Sequence, residues 1–211
     1  MVDKVRTFSR DESLVDERRK QIVKFATSLF VKRGYDRTTV RELARSLGMS
    51  QGGLYHYIGS KEDILQLILN FLTENQMKRI AVYRDKVANL SPTEALRQSI
   101  IMRLEDIDDV QDLSNFVNHV MVNLTEDKRQ IVYEYAGRIV AYFEELLRKG
   151  MKAGEFQMSD PSLVAHSIVV LGDAWAQRRW FLRKRTTLEE YARELVELVV
   201  KRIQVRGGSI A

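Results

Sequence analysis

The chain has 211 residues, of which 45% are hydrophobic and 30% charged, and its formal net charge is +5. This length can bury the core of one large domain or two small ones. Disulfides and thiolate chemistry are excluded because there is no cysteine. No apolar run approaches the roughly 18–20 residues of a membrane span, and there is no signal-peptide pattern. We therefore expect a cytoplasmic protein without membrane partners.

The N-terminal region is predicted to form a flexible arm followed by an amphipathic helix. Residues 1–15 have mixed charge and weak periodicity, whereas residues 17–33 place apolar side chains at helical spacing. Gly34 is expected to end this helix. Tyr35 is expected to pack back on the helix, as the residue after a helix-ending glycine commonly does.

Two short helices separated by a tight turn are predicted between residues 38 and 61. Thr39 and Glu42 have the S/T-x-x-E spacing of a capping box, which marks a helix start. Gly48 stands where the chain must turn sharply, as a glycine in the left-handed region, and Ser50 is expected to cap the next helix. This order is that of the helix-turn-helix unit, whose second helix enters a DNA major groove.

The rest of the chain is also predicted to be helical, since no segment alternates with period two for long enough to indicate a strand. Start signals include Ser91 followed by Pro92, and Thr187 followed by Glu190. The further helices are predicted over residues 60–89, 91–105, 112–124, 125–153, 160–182 and 187–204. The expected fold is all-α, with about nine helices.

The basic charge lies at the N-terminal end of the chain. Residues 1–61 hold thirteen Lys and Arg against seven Asp and Glu, a net of +6. Residues 62–211 hold twenty-one against twenty-two, a net of −1. A basic patch on the segment with the helix-turn-helix pattern is the electrostatic footprint of a phosphate-binding surface.

A resemblance to TetR-family transcriptional regulators lies in residues 18–65, RRKQIVKFATSLFVKRGYDRTTVRELARSLGMSQGGLYHYIGSKEDIL. The shared pattern is an amphipathic first helix, Gly-aromatic, a Thr-capped second helix, Leu-Gly-x-Ser, Leu-Tyr and Ser-Lys-Glu. The resemblance implies a flexible arm (1–15), a helix-turn-helix DNA-binding domain (16–61) and a helical effector-binding and dimerisation domain (62–211). It implies a homodimeric repressor, without cofactor, that binds a two-fold operator and is released by a small effector.

The resemblance also implies DNA contacts for individual residues. Arg41 and Gln51 match positions that touch base edges, where arginine suits guanine and glutamine suits adenine. Four further residues match positions that contact phosphates: Thr39, Tyr55, Tyr57 and Lys61. Phosphate contacts orient the protein without reading sequence. The alternatives are that Tyr55 is a core aromatic and Lys61 a solvated lysine.

Two glycines follow Gln51 in the predicted recognition helix. Gly52 and Gly53 have no side chain to read bases, and together they cost roughly 1–2 kcal/mol of helix propensity relative to alanine. We infer that they allow the helix backbone to approach DNA closely, so that recognition relies on few side chains and on DNA shape. His56 is expected to pack against another helix rather than read a base.

Two groups of residues are candidates for effector binding. Polar side chains are costly to bury without partners, and one predicted helix holds a polar group with a neighbouring aromatic: Asn115, Phe116, Asn118 and His119. The alternative is that these polar residues cap backbone groups or face water. The second group lies in the run WAQRRWFLRKR: Trp175, Arg178 and Arg179.

The basic and aromatic run predicts binding of an anionic ligand, such as the phosphates of a coenzyme A thioester. The alternative is that its long side chains cover an apolar interface. This region looks like that of family members associated with lipid or acyl-CoA metabolism. The effector is therefore expected to be a fatty-acyl or aryl-CoA, ahead of a drug-like hydrophobic compound.

The dimer seam is predicted on residues 127–153 and 161–182, where apolar side chains recur at helical spacing. The candidates are Ile139, Phe143, Leu146, Leu147, Val164, Ile168, Leu171 and Trp175. The alternative is that these residues face the core of their own subunit.

Two other classes of protein compete with a regulator. An enzyme would need a nucleophile and a base brought together from separate helices, although no Gly-rich phosphate loop, Cys nucleophile or metal cluster is visible. No metal site is predicted, since His56, His119 and His166 are far apart in sequence. A basic protein that binds acidic membrane or nucleic-acid surfaces non-specifically would show no preference for an operator.

Overall fold

A computed structural model of the chain describes residues 12–110, 115–117, 120 and 124–205. One compact unit contains residues 12–77 and the described residues of 115–133; the other contains residues 78–110 and 134–205. Within the described ranges the backbone is helical apart from turns and connections, and an isolated antiparallel bridge joins Phe156 to Gln204. The all-α prediction is confirmed.

Nine helices have defined bounds in these ranges: α1 Glu12–Arg33, α2 Val40–Ser46, α3 Gln51–Tyr55, α4 Lys61–Val87, α5 Pro92–Asp109, α6 Glu126–Lys152, α7 Pro161–Gln177, α8 Arg179–Leu182 and α9 Leu188–Ile203. Residues 115–117 and 120 are helical as well, within the helix predicted over 112–124. The helix α1 begins ahead of the predicted residue 17, because Val15 is buried and extends the apolar face of this helix.

Two predicted helix ends are wrong, and both corrections involve Asp108. The helix α5 continues beyond residue 105 through the acidic stretch, because Ile107 is buried and Asp108 has hydrogen-bond donors in Trp175 and Arg183. The helix predicted over 160–182 is interrupted at Arg178 and becomes α7 and α8. Since the two donors to Asp108 lie on either side of Arg178, the chain turns back between them.

The first unit is organised around the apolar face of α1. Ile22, Ala26 and Phe30 are buried, as their helical spacing predicts. Gly34 ends the helix with φ +87°, and its N–H donates to Phe30 O at 2.8 Å. The Tyr35 ring packs edge-on against Phe30 with ring centroids 5.0 Å apart, so the predicted glycine-aromatic helix end is confirmed.

The second unit has α5 at its centre, hydrogen-bonded to three neighbouring helices. Ser99 and the Tyr142 hydroxyl of α6 lie 2.6 Å apart, and both side chains are buried. Arg103 donates a hydrogen bond to Asp173 of α7 at 2.9 Å. The Asp106 carboxylate accepts a hydrogen bond from a side-chain hydroxyl of α4. Because buried polar groups are costly without partners, these pairs favour the observed positions of the three helices around α5.

The side chains proposed for the dimer seam lie mainly in the core of this second unit. The buried ones are Ile139, Phe143, Leu146, Leu147, Ile168 and Trp175. Val164 is half-buried against the same core, and Leu171 is exposed. The seam predicted on the buried residues is wrong, and the alternative that they face their own core is confirmed.

One glycine of α6 is required by packing. A Cβ on Gly150 would overlap the ring of Phe156, which is itself buried in the core. Gly150→Ala is therefore expected to lower the free energy of unfolding by about 1–3 kcal/mol, measured by urea denaturation. Gly137, on the same helix, has open space where a Cβ would lie, so Gly137→Ala should raise stability by about 0.5–1 kcal/mol. Effects of equal sign and size would contradict this account.

Candidate nucleic-acid interface

The segment from α2 to α3 has the internal hydrogen bonds of a preformed helix-turn-helix. Thr39 Oγ1 accepts from Glu42 N at 3.2 Å and Glu42 Oε2 accepts from Thr39 N at 2.9 Å, so the predicted capping box is present. Gly48 has φ +66°, the left-handed conformation expected of it. Ser50 Oγ accepts from Gly53 N at 3.0 Å and caps α3 as predicted. The turn is thus closed by the chain's own bonds.

The inner side of this segment is apolar and buried. Leu43 and Ala44 of α2 and Leu54 of α3 have almost no exposed surface, and Ile58 joins them after α3. Leu47 is only half-buried. Burial of these side chains fixes which faces of the two helices point to solvent.

The outer side of the segment carries most of the predicted DNA-binding residues. The exposed residues are Thr39, Arg41, Arg45, Gln51, Gly52, Tyr55 and His56, while Gly53, Tyr57 and Lys61 are half-buried. The alternative that Tyr55 is a core aromatic is wrong, because its ring is exposed. The exposure of His56 is contrary to the packed position expected for it. Two arginines and a glutamine of this segment are therefore accessible to solvent.

Two of the residues predicted to bind phosphate already have partners within the chain. Lys61 Nζ donates to Tyr35 O at 2.6 Å and lies 4.2 Å from the centroid of the Tyr35 ring. Burial, assisted by the charges of Glu62 and Asp36, raises the pKa of Tyr35 to about 12, so its hydroxyl stays neutral. The Thr39 hydroxyl also donates within the capping box. A phosphate would have to share these two groups.

Gly52 has no structural explanation within the chain. A Cβ at this position would meet no atom within 4 Å. Positive φ values in the described ranges belong to Gly34, Gly48 and Gly154. The backbone conformation at Gly52 therefore does not require a glycine. A Cβ on Gly53 would lie 3.2 Å from Ser50 Oγ, a tight contact. In the predicted recognition helix, Gly52 is therefore a glycine that neither side-chain packing nor backbone conformation requires.

Comparison with known proteins assigns the family. A family model described as "Bacterial regulatory proteins, tetR family" matches residues 22–68. A second, described as "Tetracyclin repressor-like, C-terminal domain", matches residues 89–203, more than half of the chain. The chain belongs to the TetR family. As a TetR-family protein it is a helix-turn-helix transcriptional regulator, and the competing prediction of an enzyme is wrong.

Individual relatives agree with this assignment. The HTH-type transcriptional regulator HbdR of Aromatoleum sp. (strain CIB) is 28% identical over 209 residues, which are 99% of this chain and 90% of HbdR. AibR in complex with isovaleryl coenzyme A and operator DNA shares the fold with a TM-score of 0.70 at 24% identity, over 86% of this chain and 97% of AibR. The regulator FadR of Bacillus subtilis in complex with stearoyl-CoA has a TM-score of 0.71 at 18% identity, over the same shares of the two chains.

The described members of the first predicted group of effector-binding residues, Asn115 and Phe116, belong to the first unit. Asn115 is half-buried. Phe116 is buried and stacks on Phe30 of α1, with ring centroids 5.4 Å apart and an interplanar angle of 20°. Asn118 and His119 lie outside the described residues. Phe116 thus has a packing role in this regulator, and binding of an effector by the group stays a prediction.

The second predicted group belongs to the second unit. Trp175 is buried, and its Nε1 donates to Asp108 Oδ1 at 2.8 Å. Burial opposes ionisation of Asp108, but hydrogen bonds from Trp175 and from Arg183 outweigh it and lower its pKa. Arg178 and Arg179 are exposed. The tryptophan therefore anchors the basic segment to α5, while the two arginines lie at the surface.

A surface groove of about 690 Å³ lies between α5 and α9 in the second unit. Its floor is apolar, with Ile101, Leu188, Ala192 and Val196. The rim holds four acidic and two basic side chains: Glu94, Glu105, Glu189, Glu197, Arg97 and Arg193. An acidic rim repels phosphates, and none of the predicted effector-binding residues lies in it.

A polar stripe on α4 is missing from the predicted sites. It consists of Gln66, Asn70, Thr73 and Gln76, which lie on one side of the helix. The other residues between 64 and 72 are apolar, and all of them but the half-buried Phe71 are buried. Gln66 Nε2 donates to Asn70 Oδ1 at 2.9 Å, and Thr73 Oγ1 donates to Leu69 O at 3.0 Å. The sequence signal was present, since these polar residues interrupt the apolar run ILQLILNFLTENQM.

Two further properties concern the part of the chain that the structure describes. No group of three or more His, Cys, Asp or Glu side chains there is arranged to hold a metal ion. No helix there combines the length and apolar character needed to cross a bilayer. The absence of a metal site in the remaining residues stays a prediction.

Proposed function

We propose that this regulator is a cytoplasmic repressor that binds a two-fold operator as a homodimer and leaves it when a small effector binds. The observation that carries the proposal is the preformed helix-turn-helix, whose outer face exposes Arg41, Gln51, Gly52 and Tyr55. Residues 1–61 also hold the whole basic surplus of the chain. Both features suit a major groove lined by phosphates.

The test of DNA recognition is a comparison of specific and scrambled DNA. Selection from a random library with the full chain should yield a palindromic site, because a two-fold dimer presents two equal recognition helices. Affinity for this site should exceed affinity for scrambled DNA by about 1,000-fold or more at physiological salt. A non-specific basic protein would bind both DNAs with the same affinity, and its affinity for both would fall equally as the salt concentration rises.

Arg41, one of the two exposed arginines of α2, is proposed to read a base. Arg41→Ala should relax the preference at one base pair of each half-site by roughly 1–3 kcal/mol, because a bidentate contact to guanine is lost. Fluorescence anisotropy with all four bases at that position measures the change. The control is Arg45→Ala on the same helix, which should weaken every operator variant alike. A uniform loss for Arg41→Ala would contradict base reading.

The effector is proposed to be an acyl-CoA. AibR and FadR, which share the fold, have structures in complex with isovaleryl coenzyme A and stearoyl-CoA. In this chain the exposed Arg178 and Arg179 stand beside the exposed Trp180, in a segment that holds five Arg and Lys between residues 178 and 185. Guanidinium groups bind phosphates through paired hydrogen bonds, so this segment suits the charged end of the thioester.

Acyl-CoA binding should stabilise the regulator and release its DNA. A ligand present at 100 times its Kd adds about 2.7 kcal/mol to the free energy of unfolding, which thermal denaturation detects as a higher Tm. Acyl-CoAs of several chain lengths are to be compared with free coenzyme A and the free fatty acids. The double variant Arg178→Gln, Arg179→Gln should lose most of the effect of the thioester. An unchanged Tm and unchanged operator binding at saturating acyl-CoA would refute this effector class.

The dimer seam is proposed on the solvent side of α7 and α9. Leu163 and Val170 are 62% and 52% exposed and lie seven residues apart, on one side of α7. On α9, Leu198 is 62% exposed. The two helices are joined by the Tyr191 hydroxyl, which donates to Leu171 O at 2.6 Å. Apolar side chains exposed on two adjoining helices suit burial against a second copy.

A further inference from the structure

The buried amide of Gln76 is unlike the other polar groups of α4. Its side chain is 5% exposed, yet neither its oxygen nor its nitrogen has a hydrogen-bond partner among the described residues. Gln66, 7% exposed on the same helix, has a partner in Asn70, to which its Nε2 donates at 2.9 Å. Thr73 is buried too, and its hydroxyl bonds to the backbone of its own helix.

A buried amide without hydrogen-bond partners destabilises the folded protein. Burying such a group without a partner costs free energy, and the large majority of buried side-chain polar atoms in native proteins have at least one hydrogen-bond partner. A methionine or leucine would fill the same space without this cost. Neither a packing role nor an internal hydrogen bond therefore accounts for a glutamine at position 76, whereas a ligand that supplies both a donor and an acceptor does.

We infer that Gln76 binds the effector through an uncharged amide group of the effector. A carboxamide side chain offers one acceptor and two donors, so it can exchange two complementary bonds with an amide N–H and C=O. The stripe formed by Gln66, Asn70, Thr73 and Gln76 holds no charged side chain, which suits a neutral group and not a phosphate. The inference rests on the proposed acyl-thioester effector, whose pantetheine arm carries amides next to the thioester.

Two variants separate effector binding from a structural role. Gln76→Met removes the amide at nearly constant volume and should raise the Tm of the ligand-free protein, because an unsatisfied polar group is replaced by an apolar one. Gln66→Met is the matched control, since it removes an amide that has a partner. It should lower the Tm, because the bond to Asn70 is lost.

The binding test uses paired probes that lack phosphates. One probe of each pair is the S-acyl-N-acetylcysteamine, with one amide next to the thioester. The other is the S-butyl thioester of the same acid, without the amide. Butanoyl, octanoyl and hexadecanoyl pairs cover short and long effectors. Isothermal titration calorimetry on the dimer of this chain should show that the original protein prefers the amide probe by about tenfold or more.

Gln76→Met should abolish the preference for the amide probe, and Gln66→Met should keep it. Equal affinity of the original protein for both probes, or no binding of either, would overturn the inference. A preference that survives in Gln76→Met, or a lower Tm of that variant, would overturn it as well. Operator release by complete acyl-CoAs is measured separately on the original protein, so failure of the proposed effector class can be told apart from failure at Gln76.

Discussion

The Val170→Glu variant is expected to be monomeric and to lose specific operator binding by about 1,000-fold or more. Val170 lies on the solvent side of α7, 52% exposed, between Leu163 and the Tyr191–Leu171 hydrogen bond that joins α7 to α9. In a two-fold interface each substitution occurs twice. Burying an unpaired carboxylate costs several kcal/mol, so two such charges outweigh the apolar contacts of the seam.

The control for this prediction is Val82→Glu on α4. Val82 is 48% exposed, so the same exchange is made at a similar degree of exposure in the same unit. This variant should remain a dimer and bind the operator with unchanged affinity. Analytical ultracentrifugation and fluorescence anisotropy measure the two properties. A dimeric Val170→Glu variant with full operator affinity would place the seam on another surface.

Capping signals in the sequence predicted the helix boundaries at which they occur, because capping depends on a few neighbouring residues. The capping boxes at Thr39 and Thr187 and the left-handed glycines Gly34 and Gly48 are all present in the structure. Each is recognisable from residues at most four positions apart. The break at Arg178 was missed because it depends on contacts with α5, about seventy positions earlier in the chain.

Most of the side chains predicted for the seam were assigned wrongly because an apolar stripe has the same periodicity whether it faces a core or a partner. Phe143 and Leu147 of α6 form such a stripe and are buried in their own unit. The useful signal lies in α7, whose sequence is apolar on nearly every side: SIVVLGDAWA. A helix with apolar residues all round must bury more than one face, and only one of its faces can lie in its own core.

The exposed face of the helix-turn-helix was predictable in position but not in detail. The motif placed Arg41, Gln51 and Tyr55 correctly on the exposed surface. It gave no sign that Lys61 is held by the backbone oxygen of Tyr35, because that contact depends on how α1 and α4 pack. Likewise, the sequence presented Gln66 and Gln76 as equivalent polar residues, and only the packed helix distinguishes the satisfied amide from the unsatisfied one.

Gly52 offers the sharpest test of how the recognition helix meets DNA. Gly52→Ala should raise the free energy of unfolding by about 0.4–1 kcal/mol, because alanine restricts the unfolded chain and the added Cβ meets no protein atom. The same methyl group should lower operator affinity about 10- to 100-fold, because it enters a backbone–DNA contact as an overpacking group. Gly52→Leu should reach the affinity of non-specific binding, a loss of about 1,000-fold or more.

Gly137→Ala is the control that separates the gain in folding stability from the loss of operator affinity. Gly137 is also an exposed helical glycine with no atom within 4 Å of an added Cβ, but it lies on α6, away from the recognition helix in sequence. It should gain similar stability in urea denaturation and bind the operator as the original protein does. If Gly52→Ala gains stability and keeps its operator affinity, the backbone of α3 does not approach DNA closely at this position. Base reading would then rest on Arg41 and Gln51 without help from the glycine.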